Sequence, residues 1–114
     1  MKLAYVNFHD GIETRIFVKE DEETQTHLVK DWEDHGATYE FYPVTEESIM
    51  ARLAECHDVF EARWLMEEID FWAEDLKEYN LPSYLTEAAK AIYAEDDGLK
   101  SAKLTRAFLN EHLG

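Results

Sequence analysis

At 114 residues, with 46% hydrophobic and 13% aromatic content, the chain can bury one core and is too apolar to be a disordered acidic tail. Its formal charge of -15, from 26 Asp and Glu against 11 Lys and Arg, repels nucleic acid and anionic membranes and attracts cationic surfaces. No apolar run approaches the roughly 20 residues that span a bilayer, and the lone Cys56 excludes an internal disulfide.

Residues 2–8 and 13–19 alternate as two strands around His9-Asp10-Gly11-Ile12, where Asp-Gly favours a two-residue hairpin turn. Pairing across that turn sets Leu3, Tyr5, Ile16 and Val18 on one face. Ala4, Val6, Phe8 and Phe17 then share the other with Glu13 and Arg15. The acids at 20–23 suit the positive end of a helix over about residues 24–34, and Gly36 is a natural stop. Residues 38–42 read as a third strand closed by Pro43. A right-handed crossover then orders the antiparallel sheet 2-1-3.

From Thr45, a plausible N-cap, the pattern turns helical. A short helix to about Glu55 precedes a long one from about Asp58 to Tyr79. Asn80-Leu81-Pro82-Ser83 breaks the run, and two amphipathic helices follow near 83–95 and 98–112. The expected fold is α+β: a small three-stranded antiparallel sheet (β-β-α-β, residues 1–44) followed by three to four helices (45–114) in a single domain. With no apolar leader ahead of the first strand, the expected location is cytoplasmic.

The acid surplus is concentrated. Residues 45–80 hold eleven acids and three bases, whereas residues 81–114 hold five and four. Along the long helix Leu65, Ile69, Trp72, Leu76 and Tyr79 form one stripe with the spacing of a buried face. The opposite side mixes Glu67, Asp70, Glu74, Asp75 and Glu78 with Phe60, Trp64 and Phe71. Such a helix is either central and buried on both sides, or it displays an acidic-aromatic binding patch. As one straight helix, Asp58 to Glu78 would present a carboxylate every ~4 Å, near the ~3.4 Å phosphate spacing of a DNA strand.

Enzymatic signals are weak. The sequence has no nucleophile elbow, no zinc-protease motif and no glycine-rich phosphate loop. Cys56 and His57 are neighbours whose side chains diverge on a helix, so Cys56 reads as a structural thiol. The five histidines lack ligand spacing, although Glu23/His27 and Asp31/His35 are four apart. Glu67, Asp70 and Glu74 lie in one row but lack a second cluster to complete a metal or acid–base site. No catalytic residue, metal or cofactor is therefore assigned.

The expected function is a non-catalytic acidic binding protein that occupies a basic nucleic-acid-binding enzyme or complex. Phe60, Trp64, Glu67, Asp70, Phe71, Glu74, Asp75 and Glu78 form its partner surface. In size and charge the chain looks like phage or plasmid inhibitors of the anti-restriction and anti-CRISPR kind, some of which act as DNA mimics. Neither direct nucleic-acid binding nor membrane binding is expected. The alternatives are an antitoxin or assembly factor binding through an apolar helical face, which would also allow a homodimer, and a small metal-dependent hydrolase using the carboxylate row.

Overall fold

The computed structural model describes residues 1–114. Strands β1 (Lys2–Asn7), β2 (Glu13–Val18) and β3 (Thr38–Pro43) form an antiparallel sheet ordered β2-β1-β3, with α1 (Glu22–Asp34) crossing between β2 and β3. Five helical segments follow: α2 (Glu46–Ala54), α3 (Val59–Phe71), a single turn α4 (Ala73–Leu76), α5 (Ser83–Ala94) and α6 (Gly98–His112). The molecule is α+β, with strands first and helices after. No helix is long and apolar enough to cross a membrane.

Local chemistry explains where most helices start. Asp21, Thr45, Asp58 and Asp97 each accept hydrogen bonds from backbone N–H groups of the first turn, satisfying donors that a helix start leaves unpaired. Helix α1 ends at Gly36, whose φ of +71° only glycine adopts without strain. Gly36→Ala is expected to cost about 1–2 kcal/mol in urea unfolding. Its new Cβ would approach the His9 ring, but that ring is exposed and can turn away.

The hairpin differs from the expected one by a single residue. The turn holds three residues, His9 to Gly11. Phe8 N–H donates to the Ile12 carbonyl (2.8 Å), and Gly11 N–H donates to the Phe8 carbonyl (3.0 Å). Gly11 sits at φ +88°, the position of a glycine bulge after a tight turn. Register therefore pairs Leu3 with Phe17, Ala4 with Ile16 and Tyr5 with Arg15. Because side chains alternate with period two, this slip moves every β2 residue to the opposite face.

Both faces of the sheet are covered. Ala4, Val6 and Val18 pack under α1 against Trp32 and Ala37. Leu3 and Phe17 join the larger core with Ile49, Leu53, Leu65, Ile69, Leu85 and Phe108, drawn from four different helices. Helix α3 lies centrally in this layer, against β2, α5 and α6.

The expected 58–79 helix is interrupted. Helix α3 stops at Phe71, because Trp72 (φ −95°, ψ 17°) leaves helical geometry. The Trp72 side chain packs against the larger core, with the Lys19 ammonium over its ring at 5.5 Å. The single turn α4 and a 3-10 turn (Lys77–Tyr79) complete the segment, which ends at Asn80 in the left-handed region.

Candidate functional site

Helix α3 buries Ala62, Leu65, Met66 and Ile69 against the core. On its other side Phe60, Trp64 and Phe71 remain 53%, 57% and 63% exposed, and Tyr93 of α5 beside them is 50% exposed. Positions 60, 64, 67 and 71 fall in one line at three- and four-residue spacing, so Glu67 sits between Trp64 and Phe71. Of the two arrangements compatible with the sequence, the exposed acidic-aromatic face is the one present. Asp58 holds its start by accepting from Phe60 N–H (2.8 Å) and Glu61 N–H (2.9 Å).

Trp64 separates two concavities. One, of about 320 Å³, runs between Ile12–Arg15 of the β2 edge and Asp58, Phe60 and Glu61 of α3. The other is a shallower cleft framed by Trp64, Glu67, Glu68, Phe71 and Tyr93. Ile12 and Tyr93 escape a reading confined to one helix because they reach the stripe from a hairpin loop and from α5. Tyr93 directly follows Ile92, the last core residue of its helix, which is the one local hint of its outward position.

The carboxylates are less uniform than their spacing suggests. Glu67 faces Arg63 (3.7 Å), and Arg63 also donates to the Gly98 carbonyl (3.1 Å), tying α3 to the start of α6. Glu74 pairs with Lys77 at 2.9 Å. Asp70, Asp75 and Glu78 have no ion-pair partner. Because the helix breaks at Trp72, Glu74, Asp75 and Glu78 do not continue the straight row that begins at Phe60. The evenly spaced ladder of a DNA strand is therefore absent. Glu67, Asp70 and Phe71 share α3 with Phe60 and Trp64, while the other three acids form a separate exposed group.

Beneath the groove lies a polar cluster that only the register creates. Arg15 is buried at 2% exposure, with its guanidinium 3.4 Å from Glu13, 3.5 Å from Glu61 and 4.8 Å from the centre of the Tyr5 ring. Its Nε has no hydrogen-bond partner. His57 approaches Glu13 at 3.3 Å, and its backbone N–H donates to Glu61 at 2.9 Å. The neighbouring Tyr5 hydroxyl holds the Glu13 carboxyl below its ordinary range, helped by His57 and Arg15. Burial, reinforced by Glu13, pushes the Tyr5 hydroxyl up to about 12. The cluster ties the start of α3 to β1 and β2.

Glu68 is a partly buried carboxylate of α3. Burial raises its pKa, and the neighbouring Phe17 N–H and Trp72 side chain only partly offset the rise. A raised folded-state value favours the protonated form, so its contribution to stability is present at low pH and is lost as pH climbs through the raised value. Glu68→Gln keeps an oxygen for Phe17 and removes that charge. Its stability relative to the native chain is expected to improve from pH 4 to pH 7, measured by urea unfolding at both values.

Cys56 is half-buried; burial pushes its thiol up to about 11, and Sγ–H donates to the Arg52 carbonyl (3.4 Å), the setting of an unreactive thiol. His35 lies 3.6 Å from Asp31, and both are exposed. No three His, Cys, Asp or Glu side chains stand close enough together to hold a metal ion, so Glu67, Asp70 and Glu74 do not converge. No protein-family model matches this chain, and neither the curated proteins nor the solved structures give a match.

Proposed function

We propose that this chain is a non-catalytic binding protein that occupies a basic surface of a nucleic-acid-binding protein. The observation carrying this reading is the line of exposed aromatics, Phe60, Trp64 and Phe71 with Tyr93, among carboxylates on an otherwise well-packed domain. Isolated apolar residues are ordinary on a surface, whereas a contiguous aromatic patch rimmed by charge has the composition of an interface centre. Phe60, Trp64 and Phe71 supply the desolvated contact that dominates binding energy. Glu67, Asp70, Glu74, Asp75 and Glu78 supply the field that speeds encounter with a cationic partner and orients it.

An inhibitor of the anti-restriction or anti-CRISPR kind fits these properties. Its resemblance to nucleic acid would lie in total charge rather than in a phosphate-like repeat. A second reading rests on α6, whose Leu99 and Leu104 are 73% and 42% exposed, although they stand five residues apart and so about 140° from one another around the helix. An antitoxin or assembly factor would use one of these exposed apolar side chains and tolerate salt.

A pull-down from the native lysate, washed in parallel at low and high salt, separates the two. Recovery of a basic nucleic-acid-binding protein that high salt releases, and that the Trp64→Ala bait fails to retain, supports the acidic-aromatic interface. A salt-resistant partner retained by Trp64→Ala but lost with Leu99→Ala and Leu104→Ala together overturns it in favour of α6.

A further inference from the structure

The larger groove carries two features that the folded chain itself leaves unused. The first is an indole. Of the three tryptophans, Trp32 packs against Tyr39 and Phe41, and Trp72 meets Phe71 and the Lys19 ammonium. Trp64 has neither a ring nor a cation beside it and is 57% exposed. The other apolar walls of the groove, Ile12 and Phe60, are 59% and 53% exposed, so its mouth is open. Indole is the aromatic group that attracts cations most strongly. The neighbouring Phe60 already takes one, the Arg63 guanidinium at 5.2 Å from its ring centre.

The second feature is a set of carboxylates that are only half engaged. Asp58 caps α3 through Oδ1, which accepts from the Phe60 and Glu61 N–H groups. Glu61 receives the Arg15 guanidinium and the His57 N–H on Oε2. Asp58 Oδ2 and Glu61 Oε1 have no hydrogen-bond or ion-pair partner. With Glu13, the lining holds three carboxylates against the single cation Arg15, a surplus of two negative charges. Arg15 is not available to a ligand, since its side chain is 1% exposed and lies against Glu13 and Glu61.

We propose that this groove receives one arginine side chain of the partner protein, its guanidinium stacked on Trp64 and its N–H groups turned to Asp58 and Glu61. The proposal rests on the reading of the α3 face as an interface for a basic protein and names the partner group that anchors there. A volume of about 320 Å³ lies at the low end for a binding site, enough for a single long side chain with some water. A planar guanidinium stacks on an indole and donates in its own plane at the same time. A lysine ammonium is a compact, strongly hydrated point charge and does only one of these well. The aliphatic stem would lie against Ile12 and Phe60. A second copy of this chain is disfavoured as the donor, since each molecule carries a net charge of -15.

The test titrates the isotope-labelled full chain with three capped tripeptides, Gly-Arg-Gly, Gly-Lys-Gly and Gly-citrulline-Gly, at low and matched ionic strength. Citrulline keeps the planar shape of arginine and removes its charge. A dissociation constant on the order of 1 mM is expected for the arginine peptide, the scale of one stacked and two charge-assisted contacts. It should shift the Trp64 indole and the amides of Ile12, Phe60 and Glu61. It should bind about fivefold tighter than the lysine peptide and at least about tenfold tighter than the citrulline peptide. Asp58→Asn, which keeps an oxygen for the cap, should weaken the arginine peptide about threefold, and Trp64→Ala should erase its advantage over lysine.

Equal binding of the arginine and lysine peptides, equal binding of the arginine and citrulline peptides, or shifts that avoid Trp64 would each overturn the proposal. So would no response at about ten times the expected constant, or an arginine preference that survives Trp64→Ala. Concentration-dependent shifts of the same groups without peptide would assign the groove to a second copy of the chain and overturn it as well. Any of these results together with loss of the partner by the Trp64→Ala bait would keep the aromatic interface and remove only the arginine from it.

Discussion

Trp64→Ala is expected to weaken association with the recovered basic partner by about 30-fold, corresponding to roughly 2 kcal/mol, while shifting the unfolding free energy by no more than about 0.5 kcal/mol. The separation follows from geometry. The indole is 57% exposed, so truncation removes little core packing, but it removes the rim shared by both concavities. Calorimetric titration of the partner, paired with urea unfolding of the free variant, measures both quantities. The double charge reversal Glu67→Lys with Glu74→Lys should behave differently. It should slow association and flatten its salt dependence, because surface carboxylates such as the exposed Glu74 and the half-exposed Glu67 act mainly through long-range steering. Unchanged binding by Trp64→Ala would remove the aromatic stripe from the interface.

Arg15→Ala is expected to have the largest effect on stability. It deletes the cation lodged between Glu13, Glu61 and the Tyr5 ring and leaves two carboxylates near each other with only His57 beside them. Removing one partner of a buried ion pair costs about 3 kcal/mol or more, which for a domain of this size lowers Tm by roughly 10 °C. A companion variant, Arg15→Met with Glu13→Gln and Glu61→Gln, should recover much of the loss, because it removes the stranded charges while filling the space. Recovery would separate a charge imbalance from a packing defect.

The acid side of the stability curve supplies a further check. Glu13 is held below its ordinary pKa, so its contribution is present above the normal carboxylate range and disappears as pH falls through the lowered value. Arg15→Ala should make that acid-side dependence shallower, since the guanidinium is one of the groups that lowers Glu13. An unchanged slope would assign the shift to Tyr5 and His57 alone.

These expectations show where residue patterns suffice. The αβ order, the 2-1-3 sheet and the starts at Thr45 and Asp97 follow from interactions within a few residues: period-two alternation, a side-chain oxygen before a helix, and glycine where φ turns positive. The candidate surface was legible in part for the same reason, since Phe60, Trp64, Glu67 and Phe71 fall on one line in any helix spanning those positions. Its extension to Tyr93 and Ile12 was not, because those residues meet the stripe only after α5 and the hairpin loop pack beside α3.

The sequence alone therefore determined the class of elements, their order and the composition of the acidic-aromatic line. Tertiary structure decided three things that local chemistry leaves balanced. Asp-Gly admits both a two-residue and a three-residue turn, and the longer one places Phe17 in the core and Arg15 over Tyr5. Nothing among residues 70–74 forbids a continuous helix, yet the α3 path ends where Trp72 packs into the core and redirects Glu74, Asp75 and Glu78. Helix α3 has two apolar sides, and the sheet, α5 and α6 bury only the one carrying Leu65 and Ile69. Local preferences at such points differ by about a kilocalorie per mole or less, whereas burying a large side chain is worth about two to three, so competition for the core sets the outcome.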